Sequence, residues 1–344
     1  MTEFDLCIVG GGFTGLGVGI EAQKHGMKCL LVEKESQLGT KASGNSLQII
    51  HGGFRYLQSL DIQRVIESIR AQSDLKTKFP LYTETLQCIL PLEGFPSLKS
   101  ELPLTVASYM YDTLYSLISE SLKRNTYTLS SSHSSEYSPY ESYAPKGILL
   151  WHDVIMTQQD KIISALCDEF KLLGGCISSN TSIPSSDTKL ICYCNGVEDT
   201  HSPHHRWIMG CNVRLKKKVD FKAGTALKDK NRYFFAIPEH DHSHIGTWYF
   251  RRDKMLAYEL LAPKKEELDS VIDELNKSLG SKVYSYDDIL SVSWGMLPEG
   301  ASGTPLDKPY MVRKEKSLHC VTTKFTTFQT QAKKIVTSLL NTHL

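Results

Sequence analysis

Six residues near the amino end, Gly10-Gly11-Gly12-Phe13-Thr14-Gly15, limit most strongly what this chain can become. They follow a short apolar run, Asp5 to Val9, and precede Thr14 to His25, where apolar residues recur at helical spacing; Lys28 to Val32 is apolar again. That order predicts strand, tight turn, helix and strand. The first glycine permits the sharp turn, the second lets backbone approach a pyrophosphate, and the third allows close packing of helix on strand. N–H groups at the helix start then face the anion. Gly10, Gly12, Thr14 and Gly15 are therefore candidate dinucleotide contacts. Glu33 ends the second strand about 20 residues beyond the motif, where a carboxylate can accept hydrogen bonds from both hydroxyls of an adenosine ribose. The pattern serves FAD and NAD alike, because both carry the same ADP portion.

Further along, Asp61 to Lys78 has helical spacing and is followed by Pro80, and Asp160 to Leu173 is amphipathic and ends at Gly174-Gly175. Lys264 to Leu279 and Phe328 to Leu340 read as helices, and Leu190 to Cys194 as a buried strand. Between Asn212 and Phe250, Val213 to Val219, Tyr233 to Ile237 and Ile245 to Phe250 read as strands of an antiparallel sheet. Residues 125–145, rich in Ser and Tyr, read as a long loop. No internal repeat is evident.

A net charge of +1 with scattered Lys and Arg gives no footprint for nucleic acid, and Lys216-Lys217-Lys218 reads as a solvated edge. Nine cysteines without a CxxC pair fit no disulfide framework and predict a reducing compartment. No run approaches the ~18 apolar residues that span a bilayer. The expected location is the cytoplasm, with docking on a membrane surface left open. His240, His242 and His244 alternate in a way that could suggest a metal, but without a carboxylate at suitable spacing they read as an exposed turn, and no metal site is expected. His201, His204 and His205 receive the same reading.

From Gly39 to Leu57 the chain runs Gly-Thr-Lys-Ala-Ser-Gly-Asn-Ser-Leu-Gln-Ile-Ile-His-Gly-Gly-Phe-Arg-Tyr-Leu. This closely resembles the flavin-dependent glycerol-3-phosphate dehydrogenases, within the superfamily of D-amino-acid oxidase. Weaker matches follow in the family's order at Leu190 to Gly196, at Ile237-Pro238 with Ile245-Gly246-Thr247, and at Lys324-Phe325-Thr326-Thr327-Phe328. Two departures stand out: Thr322-Thr323 replaces the family's usual Gly-Gly, and Met296 stands where the family has an anion-holding Arg.

The resemblance implies an α/β protein: a Rossmann-like FAD domain of the glutathione-reductase type, with an inserted antiparallel-sheet substrate domain. The expected boundaries are 1–80, 150–205 and 290–344 for the FAD domain, and 81–149 and 206–289 for the substrate domain. Besides the glycine turn and Glu33, it implies FAD contacts at Lys34, Thr40, Ser43, Ser46, Gly52, Gly53, Gly196, Thr326 and Thr327. It also implies that Arg55 and Lys324 offset anionic charge at the substrate or flavin, while His51 is a proton acceptor or a structural residue of its turn. The expected reaction is dehydrogenation of a CH–OH group of a small metabolite, glycerol-3-phosphate-like or a hydroxy acid. Electrons would then pass to a quinone, another acceptor or oxygen. Amine or amino-acid oxidation on the same fold, and a non-catalytic flavin-binding subunit, are the alternatives.

Overall fold

The computed structural model describes residues 4–119, 126–129, 140–141, 143–181, 188–202, 204–221, 223–229, 232–252 and 257–341. Strand β1 (Phe4–Val9), helix α1 (Phe13–Lys24) and strand β2 (Cys29–Val32) form the opening unit, in the order and almost at the bounds that the sequence predicts. β2 pairs parallel with β1, and β7 (Cys176–Ser178) pairs parallel with β2. On the other side of β1 lie β8 (Thr188–Tyr193), then β15 (Ser317–Val321) and β14 (Tyr310–Lys314). Only the β14–β15 pair is antiparallel.

A parallel sheet is covered on both faces, which is why β1 and β8 read as nearly unbroken apolar runs. Leu6, Ile8 and Leu31 pack with Leu16 and Ile20 of α1, with Ile162, Leu166 and Phe170 of α4 (Gln159–Leu172), and with Phe328 and Ile335 of α6 (Phe328–Leu340). Cys7, Val9 and Val32 form a smaller cluster with Ile191 and Tyr193.

The second sheet has nine strands. Its order is β13 (Ile289–Pro298), β9 (Trp207–Leu215), β12 (Ser243–Arg252), β11 (Arg232–Pro238), β10 (Gly224–Asp229), β4 (Thr83–Pro91), β6 (Ile148–Met156) and β3 (Ile49–Ile50), with β5 (Tyr127–Leu129) beside β6. All pairs are antiparallel except β10 with β4. Helix α5 (Lys265–Ser278) packs Leu268, Val271, Ile272 and Leu275 with Trp207, Met209 and Trp248 of this sheet. Much of the 125–145 loop lies outside the described residues, but Tyr127–Leu129 is strand rather than loop.

Helix α2 (Ile62–Lys78) starts at Asp61, whose side chain accepts from the Arg64 N–H. It packs beside α3 (Glu101–Ile118), around Tyr111 and Tyr115. α3 is absent from the sequence reading for a physical reason. Leu104, Tyr111 and Tyr115 are buried, but Leu102, Val106, Tyr109 and Leu117 are exposed, so apolar residues surround the helix and no stripe marks its inner face.

Candidate active site

At the β1–α1 turn, Gly10 has φ +105°, and a Cβ there would lie 2.9 Å from the Asn195 backbone. Glycine alone permits both the conformation and the approach of β8. Gly12 is the N-cap of α1 and has no side chain with which to cap it. The Ser43 hydroxyl comes to this opening instead and accepts from the Phe13 N–H at 3.1 Å. Glu33 accepts from the Gly11 N–H at 2.6 Å and the Glu35 N–H at 3.0 Å, one bond on each oxygen. A carboxylate oxygen has two lone pairs, so each retains capacity for a ribose hydroxyl. The Asn195 Oδ1 is buried with no hydrogen-bond partner among the described residues, as expected of an acceptor for a bound ligand. This glycine cradle, acid and unpartnered acceptor fit the ADP portion of FAD.

The other expected FAD contacts are distributed around this turn. Thr40 is exposed, and its carbonyl accepts from Asn45 Nδ2 at 2.7 Å. The Ser46 hydroxyl accepts from the Gln48 N–H at 3.2 Å. Lys34 donates to Glu198 at 3.0 Å, which raises the lysine pKa, and Lys41 shares that carboxylate at 2.7 Å. Gly196 follows β8 with φ +61°, and Thr326 and Thr327 form the 3-10 turn that leads into α6. Gly52 has a packing reason of its own: a Cβ there would lie 2.0 Å from Tyr111 Oη, so the residue is held tightly against α3. Gly53 is left-handed at φ +85° and packs on Ser68.

His51 and Gly52 meet a buried carboxylate that sequence reasoning missed. Asp153, on β6, accepts from His51 Nδ1 at 2.8 Å and from Trp151 Nε1 at 3.0 Å. Its other oxygen accepts from the Gly52 N–H at 2.8 Å and from Gln72 Nε2 at 3.1 Å. The Asp153 side chain is 3% exposed and that of His51 50%. The pairing draws the Nδ1 proton toward Asp153 and leaves Nε2 as the accessible acceptor. The His51 ring also lies 5.5 Å from that of Phe235. A signal for Asp153 was present, since an acid inside the apolar run of β6 requires buried donors.

Next to this turn, three cations surround one aromatic ring. Arg64, Lys324 and Arg55 place their charged atoms 4.2, 4.5 and 5.0 Å from the centre of the Tyr56 ring. Arg64 is neutralised by Asp307, which accepts from both of its terminal nitrogens at 2.7 Å. Arg55 and Lys324 have no carboxylate at ion-pair distance among the described residues; Arg55 donates only to Tyr56 Oη at 3.3 Å. Burial, together with repulsion from Arg55, pushes the Lys324 pKa down to about 8. Arg55, Tyr56, Arg64 and its partner Asp307 line a cleft of about 310 Å³.

Where the family has glycine, the Thr322 hydroxyl accepts from Thr14 at 3.3 Å, so this segment clasps α1 before Lys324 turns to Tyr56. Met296 is 5% exposed in the apolar cluster of the large sheet and offers no replacement cation. The histidine turn needs correction at one position. His240 is exposed beside Asp241 and His242 pairs with Glu239, but His244 is buried, and burial pushes its pKa down to about 3.

Comparison with known proteins agrees with this fold. The chain is 34% identical over 112 residues to the aerobic glycerol-3-phosphate dehydrogenase of Staphylococcus saprophyticus, covering 33% of this chain and 20% of that protein. It is 32% identical over 172 residues to the mitochondrial glycerol-3-phosphate dehydrogenase of Mus musculus, covering 48% of this chain and 20% of that protein. The chain thus spans about a fifth of the length of the curated relatives it matches. Among solved structures, glycerol-3-phosphate dehydrogenase from Bacillus halodurans, complexed with FAD, superposes with a TM-score of 0.69 at 16% identity, over 99% of this chain and 65% of that one. Glycine oxidase from Geobacillus kaustophilus superposes with a TM-score of 0.65 at 12% identity, over 98% of this chain and 94% of that one. Among the described residues no helix is long and apolar enough to cross a membrane. Residues 5–323 match the model of the DAO family, FAD dependent oxidoreductase, and the chain belongs to that family.

Proposed function

We propose that the chain oxidises the CH–OH group of a small anionic metabolite, glycerol-3-phosphate-like or a hydroxy acid. The observation that carries this reading is the pair Arg55 and Lys324, two cations with no carboxylate at ion-pair distance among the described residues, of which Arg55 follows the turn of the Asp153-held His51 and Lys324 meets it at the Tyr56 ring. Juxtaposed cations in a cleft form a seat for an anion.

FAD would be held at the ADP end by Gly10, Gly12, Thr14, Gly15, Glu33 and Ser43. Lys34, Thr40, Ser46, Gly52, Gly53, Gly196, Thr326 and Thr327 complete the proposed set, distributed over the segments 1–80, 150–205 and 290–344. When bound, FAD supplies the acceptor for the hydride. Arg55 and Lys324 bind the substrate's phosphate or carboxylate and so orient its carbinol. Nε2 of His51 takes the hydroxyl proton, and Asp153 stabilises the imidazolium that results. Phe235, which packs beside His51 and meets the Trp151 ring edge-on, limits water on that side. With Met296 buried, anion recognition is assigned to Arg55 and Lys324. The electrons then leave to a quinone, another acceptor or oxygen, and nine free thiols favour the cytoplasm as the setting.

The test is anaerobic addition of glycerol 3-phosphate, or a panel of hydroxy acids, to the yellow holoprotein. Rapid bleaching by one of these, lost in Arg55→Met, is expected. A holoprotein that stays oxidised with all of them overturns the proposal, and bleaching by amino acids with ammonia release replaces it with amine oxidation.

A further inference from the structure

Away from the anion seat, three thiols meet beneath the parallel sheet. Cys192 Sγ lies 3.7 Å from Cys194 Sγ and 3.6 Å from Cys320 Sγ, and all three sulfurs lie within 4.8 Å of one another. Two come from β8 and its end, and the third from the neighbouring strand β15, which runs parallel to it. Cys192 and Cys320 are 0% and 6% exposed. Cys194 is half-buried.

The two spacings about Cys192 match those of a metal centre. Sulfurs on arms of about 2.3 Å stand roughly 3.8 Å apart at a tetrahedral angle and roughly 4.0 Å apart at a trigonal one. A disulfide would need two of them to close to about 2.05 Å. Among the described residues no imidazole or carboxylate joins the group. His319, next in sequence to Cys320, is committed elsewhere, with Nδ1 2.7 Å from Asp199 and its ring stacked 4.7 Å from Tyr193. Structural zinc is held by four protein ligands, and catalytic zinc completes its shell with water. A buried set of three soft sulfurs suits a monovalent thiophilic ion better. Cys194 also donates its N–H to Val9 O at 2.8 Å, which ties the cluster to the strand that leads into the glycine turn.

We propose that Cys192, Cys194 and Cys320 form a three-coordinate thiolate site for Cu(I). Binding replaces three S–H bonds with three S–Cu bonds; the protons leave to solvent, copper stays monovalent and no electron is transferred. The site is independent of the substrate assigned above.

The full chain, reduced and kept anaerobic, is titrated against Cu(I) held by the coloured chelator bathocuproine disulfonate. Withdrawal of about one Cu(I) per chain is expected, unchanged in a Cys167→Ser, Cys176→Ser variant and at least about a hundredfold weaker in Cys194→Ser and Cys320→Ser. Because a buried substitution can impair folding, melting is read in parallel. Cu(I) should raise the melting temperature of the unsubstituted chain and leave that of Cys194→Ser unmoved. No withdrawal, equal withdrawal by the Cys194→Ser and Cys320→Ser variants, preference for Zn(II), or a Cys192–Cys320 disulfide that re-forms in place of metal uptake would each overturn the proposal.

Discussion

The ammonium nitrogen of Lys324 lies 4.5 Å from the centre of the Tyr56 ring, which joins the last part of the described chain to the turn that carries Arg55. The contact is built under repulsion, because Arg55 and Arg64 share the same ring and burial opposes the charge. An incoming anion relieves that repulsion.

The pH dependence of substrate affinity follows. The lysine pKa is about 8, below its ordinary value, and the protonated form is the one that attracts an anion. KM for an anionic substrate should be flat at lower pH and rise through pH 8 and above, by up to about tenfold per unit. In Lys324→Met, KM should be about ten- to a hundredfold higher and this pH step absent, which steady-state kinetics over a pH series will check.

Asp153→Asn places an amide where four N–H groups converge on a carboxylate. At least one buried donor then faces the amide NH2, costing about 1–3 kcal/mol of stability. His51 loses its fixed tautomer, so kcat should fall about ten- to a hundredfold with KM little changed. In a double-mutant cycle with His51→Gln the losses should be far from additive.

Gly10→Ala and Gly26→Ala separate close approach from conformation. Both residues have positive φ, at +105° and +81°, but an added Cβ at Gly10 meets the Asn195 backbone at 2.9 Å whereas the space at Gly26 is open. Gly26→Ala should cost about 1–2 kcal/mol, from the left-handed conformation alone. Gly10→Ala should cost more and release FAD, as thermal melting and the flavin content of purified protein will report.

Glu33→Ala removes the acceptor of the Gly11 N–H bond and the ribose contact together. FAD affinity should fall about ten- to a hundredfold, the value of one to two charge-assisted hydrogen bonds. Fluorescence titration of the apoprotein with FAD is the measurement.

The opening βαβ unit is legible in the sequence because each of its signals is local: an apolar strand, glycines where positive φ and close contact demand them, and an acid at a fixed distance. The helix over Phe328–Leu340 is legible for the same reason. The partners of Asp153 are not, because Gln72 and the His51 turn meet it from distant parts of the chain. Thr322 shows the limit of resemblance. The loss of glycine is visible at once, but only the fold shows its hydroxyl closing on Thr14. The histidine turn fails at His244, because β12 begins at Ser243 and draws His244 into the sheet, where it is buried, while His240 and His242 stay in the turn before it.

The parallel pairing of β8 with β15 has a consequence for biosynthesis. Residues 317–319 must emerge before residues 191–193 gain their neighbour, so a growing chain carries one side of its central strand unpaired through more than a hundred residues of translation. Such delayed, non-local closure slows folding and leaves a strand edge open to wrong partners. Stable capture of the dinucleotide is therefore expected late, after the ribosome has delivered the segment that seals the sheet, and chaperones that shield strand edges should matter more for this chain than for a helical one of equal length.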